Sequence, residues 1–254
     1  MSRPLVVVKI GGSVLTGRDG YRRAADFLVG RIASEPGTAI VAVVSAELGV
    51  TDALLATARE FVETPDPAAL DLLWSTGELR STALLTLALQ ARGVRAVGVN
   101  VHQAGLARAD SGDAGHSQLR PLRLRALLVD HDVIVAPGFL ARDGGDGIVS
   151  LGRGGSDLTA VLLAAGLGAV RCELLKDVPG YFTADPKLEP GARLIPALDY
   201  ERALQMSEAG CELVQREALR AAREHDLALI ISAIGGGPGT LITTDSVHFE
   251  SAVA

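Results

Sequence analysis

Aromatic side chains are scarce in this 254-residue chain, at 4% of residues, and cysteine is scarcer still, with Cys172 and Cys211 the only two. Two thiols far apart in sequence cannot build a disulfide framework. Neither lies in a Cys-x-x-Cys pair or beside a histidine cluster with metal-ligand spacing, so reduced, buried thiols and no metal site are expected. Positive charge is also short. The 24 Lys and Arg against 30 Asp and Glu leave a net charge of −6, which excludes a broad basic face for nucleic acid. The one basic cluster, Arg120, Arg123 and Arg125, alternates with Pro121, Leu122 and Leu124 and reads as a solvated helix start. Long apolar runs are missing as well. The run Leu5 to Val8 ends at Lys9, too short for a signal-peptide core or a membrane span, so no membrane contact and a cytoplasmic location are expected. No Gly-Lys dipeptide occurs, which removes a Walker A loop.

The chain does contain an ordinary globular mixture, 48% apolar and 21% charged, with 29 glycines. An α/β domain of this size buries about three quarters of its unfolded surface and needs no staples. Short β-branched runs alternate with Ala/Leu-rich segments of helical period, which predicts α/β architecture with helices on both faces of a mainly parallel sheet. Strands are predicted over 5–10, 38–44, 95–99, 133–136, 170–175 and 227–232. Helices are predicted over 22–33, 52–62, 68–91, 122–129, 156–167, 200–206 and 212–224, with Thr51 and Ser156 as N-caps and Gly93 and Gly168 as stops. Ala141 to Gly147 reads as a hairpin turn flanked by short strands. No repeat, low-complexity tract or Pro/Ser-rich linker divides the chain, so residues 1–254 form a single domain with approximate lobes 1–151 and 152–254.

Three loops at strand ends carry candidate chemistry. Lys9-Ile10-Gly11-Gly12-Ser13 follows the first strand. Paired glycines let backbone N–H groups approach phosphate oxygens beside a lysine charge, although the same residues also suit a plain chain reversal. Gly152-Arg153-Gly154-Gly155-Ser156-Asp157 enters an apolar helix, where free N–H donors, the helix dipole and a guanidinium favour an anion. Asp157 there either caps the helix or steers a lysine or a metal ion. Lys176-Asp177 through Lys187 follows another apolar strand, the usual place for a ligand loop in open α/β sheets. Its Tyr181-Phe182 pair suits a nucleotide base or a packed aromatic plug. Two smaller elements are Ser45-Ala46-Glu47 with Thr51-Asp52, and Ser75-Thr76-Gly77-Glu78. An acid such as Glu78 inside a helix is ordinarily a solvated surface charge, and if it faces a cleft it can bind an ammonium group.

In this order the five elements resemble the catalytic domain of aspartate kinases, within the amino-acid kinase superfamily, over essentially the whole chain. The start Lys9-Ile10-Gly11-Gly12-Ser13 is shared widely in the superfamily. Gly152 to Ala160, nearly identical to the family's Gly-Arg-Gly-Gly-Ser-Asp-Thr-Thr-Ala, and Ser75-Thr76-Gly77-Glu78 are specific to the aspartate branch. The resemblance implies a three-layer αβα sandwich. It also implies transfer of the ATP γ-phosphoryl group, with Mg²⁺ bridging the phosphates, to the β-carboxylate of L-aspartate. By the same resemblance, Lys9 neutralises the phosphoryl group in transit and Asp157 orients Lys9. Arg153 clamps a substrate carboxylate, Glu78 receives the α-ammonium, and Ser45, Thr51, Gly154 and Ser156 complete the acceptor pocket. Gly11, Gly12 and Ser13 meet phosphate through backbone donors, while Lys176, Asp177, Phe182, Asp185 and Lys187 surround the nucleotide.

Several positions depart from the family. Glu212 stands where a phosphate-facing lysine is usual, Lys176 replaces a hydroxyl residue, Phe182 replaces a tyrosine, and Lys187 replaces an arginine. No room remains for the ACT domains that typically follow, so direct inhibition by lysine or threonine is not expected. A homo-oligomer is expected from the resemblance. Two other readings remain open: a kinase of the same superfamily with another small acceptor, and a non-catalytic relative that binds a ligand or partners an active kinase.

Overall fold

The computed structural model describes residues 3–108, 118–119, 122–152 and 154–244. Its first strand, β1 (Leu5–Ile10), is buried along its whole length, as a near-continuous valine run requires when both faces of a parallel sheet are covered. The helix α1 (Gly17–Ser34) leads to β2 (Ala39–Val44), which is also buried throughout. Then come α2 (Val50–Phe61), α3 (Pro67–Gln90) and β3 (Ala96–Gly98). Asp66 starts α3 by accepting from the Ala69 N–H at 2.9 Å, with Pro67 in the first turn where its missing donor costs nothing. A one-turn α4 (Val101–Ala104), β4 (Leu106–Ala107), β5 (Gln118–Leu119), α5 (Leu122–Asp130) and β6 (Val133–Pro137) complete the first half.

The hairpin β7 (Leu140–Arg142) and β8 (Ile148–Ser150) precedes α6 (Gly155–Leu167), β9 (Arg171–Lys176), β10 (Ala197–Asp199), α7 (Tyr200–Glu208), α8 (Arg216–Glu224), β11 (Leu229–Ala233) and β12 (Thr240–Thr243). Eight strands form one sheet in the order β10-β12-β11-β9-β1-β2-β6-β3, parallel except between β11 and β12. A second sheet, β5-β4-β7-β8, contains the predicted hairpin, and Asp143 closes its turn by accepting from the N–H groups of Gly145 and Gly147.

Strand alternation divides the core. Val6, Val8 and Ile10 face α1 and α3, whereas Leu5 and Val7 face a layer that includes α5, α6, α7 and α8. The result is the three-layer αβα sandwich, and one sheet runs through both sequence halves. Arg125 of α5 donates to the carbonyls of Gly166 and Leu167 at the end of α6, where a cation is favoured. Arg123 is likewise exposed at this helix start, and Arg120 lies outside the described residues.

Some boundaries correct the sequence reading. Thr51 and Ser156 do not cap their helices. The N-caps are Gly49 and Gly154, both with positive φ, so each hydroxyl residue lies two positions past its cap, within the first turn. Gly168 does end α6 in the left-handed region. The last predicted helix begins at Arg216 rather than Glu212, because residues 210–215 form a loop that reaches over to α6. Cys172 is buried and Cys211 half-buried, both as free thiols.

Candidate active site

Parallel pairing brings the carboxyl ends of β9, β1, β2 and β6 to one edge of the sheet. The chain leaves β1 for β2 on one side and later adds β9 on the other, which creates a crevice at that switch. Period-two alternation puts Lys9 on the same face as Leu5 and Val7, toward α6. Lys176, two residues beyond Leu174, ends β9 on that face too. Between them stands Asp157, in the first turn of α6. Its Oδ1 lies 2.9 Å from Lys9 Nζ and its Oδ2 2.7 Å from Lys176 Nζ, and the Gln215 N–H donates to Oδ2 at 3.4 Å. Asp157 therefore steers lysines rather than capping the helix. Burial alone would push its carboxyl up, but the two ammonium groups outweigh burial and hold it at about 2. Burial pushes Lys176 below its ordinary value, with Asp157 opposing the shift and Lys9 adding to it.

Glu78 is 3% exposed, so the ordinary solvated-acid reading fails. It belongs to an inward polar stripe of α3 at helical spacing, with Ser75, Ser81, Thr82 and Thr86. Burial raises its carboxyl to about 8, against the pull of the Ala46 backbone donor and the Lys9 charge. Its Oε2 is buried without a hydrogen-bond partner.

Close backbone approaches fix the loops around this pair of charges. A Cβ on Gly12 would stand 2.2 Å from the Ala46 carbonyl, and Leu48 N–H donates to Gly12 O at 3.2 Å. A Cβ on Gly77 is 3.1 Å from that of Ala46. Gly11 N–H is taken up by Leu175 O at 3.3 Å and Ser45 N–H by Ile10 O at 3.2 Å, which ties the ends of β9, β1 and β2 together. Ser45 and Thr51 are half-buried at the crevice rim, and Trp74 donates to Thr51 O at 3.1 Å. Trp74 meets Phe139 edge-on at 5.7 Å between ring centroids. Phe139, at φ 66°, holds a backbone conformation that bulky residues rarely adopt, immediately after Gly138, which presses on Ser156.

Residues 4–232 match the Amino acid kinase family model. The chain belongs to the amino acid kinase family. Among relatives of this family member, the aspartokinase of Pseudomonas aeruginosa is 37% identical over 95% of the chain and 58% of its own length. That of Thermus thermophilus is 37% identical over 98% of the chain and 62% of its own length. The chain thus spans roughly three fifths of these curated relatives. The aspartate kinase of Synechocystis has the same fold at TM-score 0.84 and 31% identity, covering 96% of this chain and 40% of that one. Aspartokinase III of E. coli, in complex with aspartate and ADP, superposes at TM-score 0.82 with 26% identity, covering 96% and 65%.

In this family member the remaining expected positions are more dispersed. Gly154 adopts φ +75° against the Gln215 side chain, and Ser156 is buried beneath Gly138. Arg153 lies outside the described residues. Ser13 is exposed after Gly12. Asp177, Asp185 and Lys187 are exposed on the loop after β9, where Asp185 accepts from the Lys187 N–H at 2.9 Å. Phe182 is half-buried and bridges to Leu194, while Tyr181 is the buried aromatic of the pair, at 1% exposure. Glu212 is exposed and enters none of the ion pairs among the described residues.

Sequence reasoning placed Glu47 in the Ser45-Ala46-Glu47 element but gave it no role. Its carboxylate accepts from Tyr21 Oη at 3.0 Å and from the Gly17 N–H at 3.2 Å, and pairs with Arg80 at 3.0 Å, clamping the 45–48 loop between α1 and α3. The three donors are distant in sequence, so no local spacing signalled it.

Proposed function

We propose that this chain transfers the γ-phosphoryl group of ATP to the carboxylate of a small amino acid, with L-aspartate the favoured acceptor and aspartyl phosphate the product. The observation that carries this reading is the convergence of Lys9 and Lys176 on Asp157, with the buried carboxyl of Glu78 within reach of the Lys9 charge. A negatively charged acceptor must approach a negatively charged donor, so charge cancellation and positioning make up most of the catalysis. The buried ammonium groups supply the first, and the rigid loops supply the second. The kinship with aspartokinases supports the choice of acceptor.

In this reading Lys9 neutralises the phosphoryl group in transit and Asp157 holds it in place. The N–H groups of Gly12 and Ser13 face the phosphates, since that of Gly11 is already bonded to Leu175. Glu78 receives the α-ammonium of the acceptor, which satisfies its orphaned Oε2. Arg153 takes an acceptor carboxylate by its place in the Gly-rich turn, beside Gly154, Ser156, Ser45 and Thr51. Phe182, Asp177, Asp185 and Lys187 border the nucleotide. Residues 1–151 then form mainly the acceptor lobe and 152–254 the nucleotide lobe. Among the described residues no group of three or more His, Cys, Asp and Glu side chains could hold a metal. Mg²⁺ therefore fits this site as an ion carried on the phosphates, where it would screen their charge.

The reading is tested by ADP release and hydroxamate trapping across a panel of amino-acid and phosphate acceptors with ATP and Mg²⁺. Wild-type protein should release ADP with aspartate and yield a hydroxamate, and Lys9→Ala and Asp157→Ala should not. Turnover with another acceptor only would move the substrate. No turnover and no nucleotide binding would leave a non-catalytic relative. The same protein preparation reports oligomeric state by light scattering, where a homo-oligomer is expected.

A further inference from the structure

We propose that Lys176 is a second catalytic cation, meeting the transferred phosphoryl group together with Lys9, and that Asp157 serves as the spacer setting the two ammonium groups on opposite sides of it. This deepens the phosphoryl-transfer reading and rests on it. The first support is stoichiometric. One carboxylate holds two ammonium groups, one on each oxygen, with side-chain exposures of 8% for Lys9, 14% for Lys176 and 4% for Asp157. Such a cluster retains a net positive charge: Glu78 is the carboxyl that feels Lys9, but it is buried, makes no ion pair with either lysine and keeps its proton near neutral pH. Glu47 is turned away onto Tyr21 and Arg80, and Glu173 onto Arg31 and Arg171. A buried, uncompensated cation is costly unless an anion arrives to pair with it.

The second support is positional. Leu175 O accepts the Gly11 N–H, so the residue before Lys176 is tied to the Gly-rich turn, and a Cβ on Gly11 would lie 3.6 Å from Lys9 Nζ. The Lys9 ammonium therefore borders the turn to which the end of β9 is tied, and Asp157 holds the Lys176 ammonium beside it. A simple counter-ion role for Lys176 would require only one lysine there, because Lys9 already pairs with Asp157.

In the step itself an acceptor carboxylate oxygen forms a bond to the γ-phosphorus while the bond from that phosphorus to the β,γ-bridging oxygen breaks. The electron pair leaves with ADP. No proton is transferred, and both lysines stay ammonium throughout, each moving from an Asp157 oxygen toward a phosphoryl oxygen as charge shifts to the leaving group. An interaction that strengthens in the transition state lowers kcat when removed.

The test compares wild type with Lys176→Met and Lys176→Arg. Lys176→Met should lower kcat about 100-fold, with the acceptor KM changed less than about threefold and the melting temperature not reduced, and Lys176→Arg should recover part of the loss. A purely structural counter-ion would give the opposite pattern, a lower melting temperature with kcat kept, and would overturn the proposal. Should wild type fail to phosphorylate any acceptor, the activity reading falls separately, and the cation is judged by calorimetry with ADP, Mg²⁺ and aluminium fluoride. Binding of that planar phosphoryl mimic weakened at least tenfold in Lys176→Met upholds the proposal. Equal binding by both proteins, or binding by neither, overturns it.

Discussion

Ionising Glu78 in the ligand-free protein would place a negative charge in a buried site with only the Ala46 backbone donor and the Lys9 charge for support, and its carboxyl accordingly holds its proton up to about pH 8. A folded value raised above the unfolded one gives stability that is full below about 4.5 and is lost as pH rises through about 8, because the native state binds the extra proton. Glu78→Gln removes that loss. Its melting temperature should exceed that of wild type at about pH 9 and not at about pH 5, a difference worth on the order of a few kcal/mol. If the difference is the same at both pH values, the group does not titrate as buried. The same variant should lose acceptor affinity, since only the carboxylate pairs with an ammonium. Wild-type acceptor KM should fall as pH rises toward 8, and that slope should flatten in Glu78→Gln.

Asp157 has the opposite sign: its carboxyl lies at about 2, below the ordinary carboxylate range, so its contribution is present above about 3.8 and disappears as pH falls through about 2. Asp157→Asn leaves two buried ammonium groups facing one another, and breaking a buried pair in this way costs about 3–5 kcal/mol. Adding Lys176→Met should return part of that stability, a non-additivity readable by a denaturant cycle. Strict additivity would mean that the three groups do not share one site. The sequence made Lys9 and Asp157 legible because both lie in contiguous glycine-rich strings. It could not tell a solvated from a buried Glu78 by itself. The inward stripe Ser75, Glu78, Thr82, Thr86 was present, but polar residues at helical spacing look like a solvent face until packing reverses them.

At the scale of elements, strand ends and glycines set the site more than helix propensity does. The long apolar strands were readable from composition, and β1 spans the predicted residues 5–10. By contrast β4, β5, β10 and β12 are two to four residues long, and such segments carry too little periodicity to register. The helix starts shifted because Gly49 and Gly154 took the cap positions that hydroxyl residues usually occupy, using a left-handed conformation instead of a side-chain bond. Two glycine substitutions separate the roles of this residue. Gly12→Ala puts a methyl group 2.2 Å from the Ala46 backbone oxygen, so the Gly-rich turn must move. Turnover should fall at least tenfold and stability should drop by about 1–3 kcal/mol, as for other overpacked sites. Gly30 is exposed within α1, and a Cβ there meets nothing within 4 Å. Gly30→Ala should raise stability by about 0.5–1 kcal/mol and leave turnover unchanged. Chemical denaturation of both variants decides the matter. A stabilised Gly12→Ala would mean that the turn is not clamped by the loop after β2.

The whole molecule depends on one sheet that joins residues from both halves of the chain, with β9 inserted between β1 and β11. Glu173 of β9 is fully buried. Arg31 of α1 donates to its Oε2 at 2.6 Å and Arg171 to its Oε1 at 2.8 Å, while Arg171 also pairs with Glu35. The cluster lines a cavity of about 1010 Å³ with Phe27, Ile230 and the Gly-rich loop before β12. Its members come from positions 31, 35, 171 and 173, so it fastens the amino-terminal helix to a strand of the second half. No local motif announces such a contact, which is why two soft lobes could be read from the residues and the device joining them could not. Because the charges are paired and Glu173 points to the α1 side of the sheet, opposite the face of Lys176 three residues along β9, we expect the cluster to serve stability rather than turnover. Glu173→Gln keeps the shape but leaves two half-buried guanidinium groups with Glu35 as their one shared counter-charge. It should lower unfolding stability by about 3 kcal/mol or more while the KM values of surviving native protein stay within about twofold. Equilibrium unfolding and steady-state kinetics on one preparation separate the two effects. A variant with native stability but altered nucleotide KM would connect this cavity to the active crevice and refute the division of labour along β9.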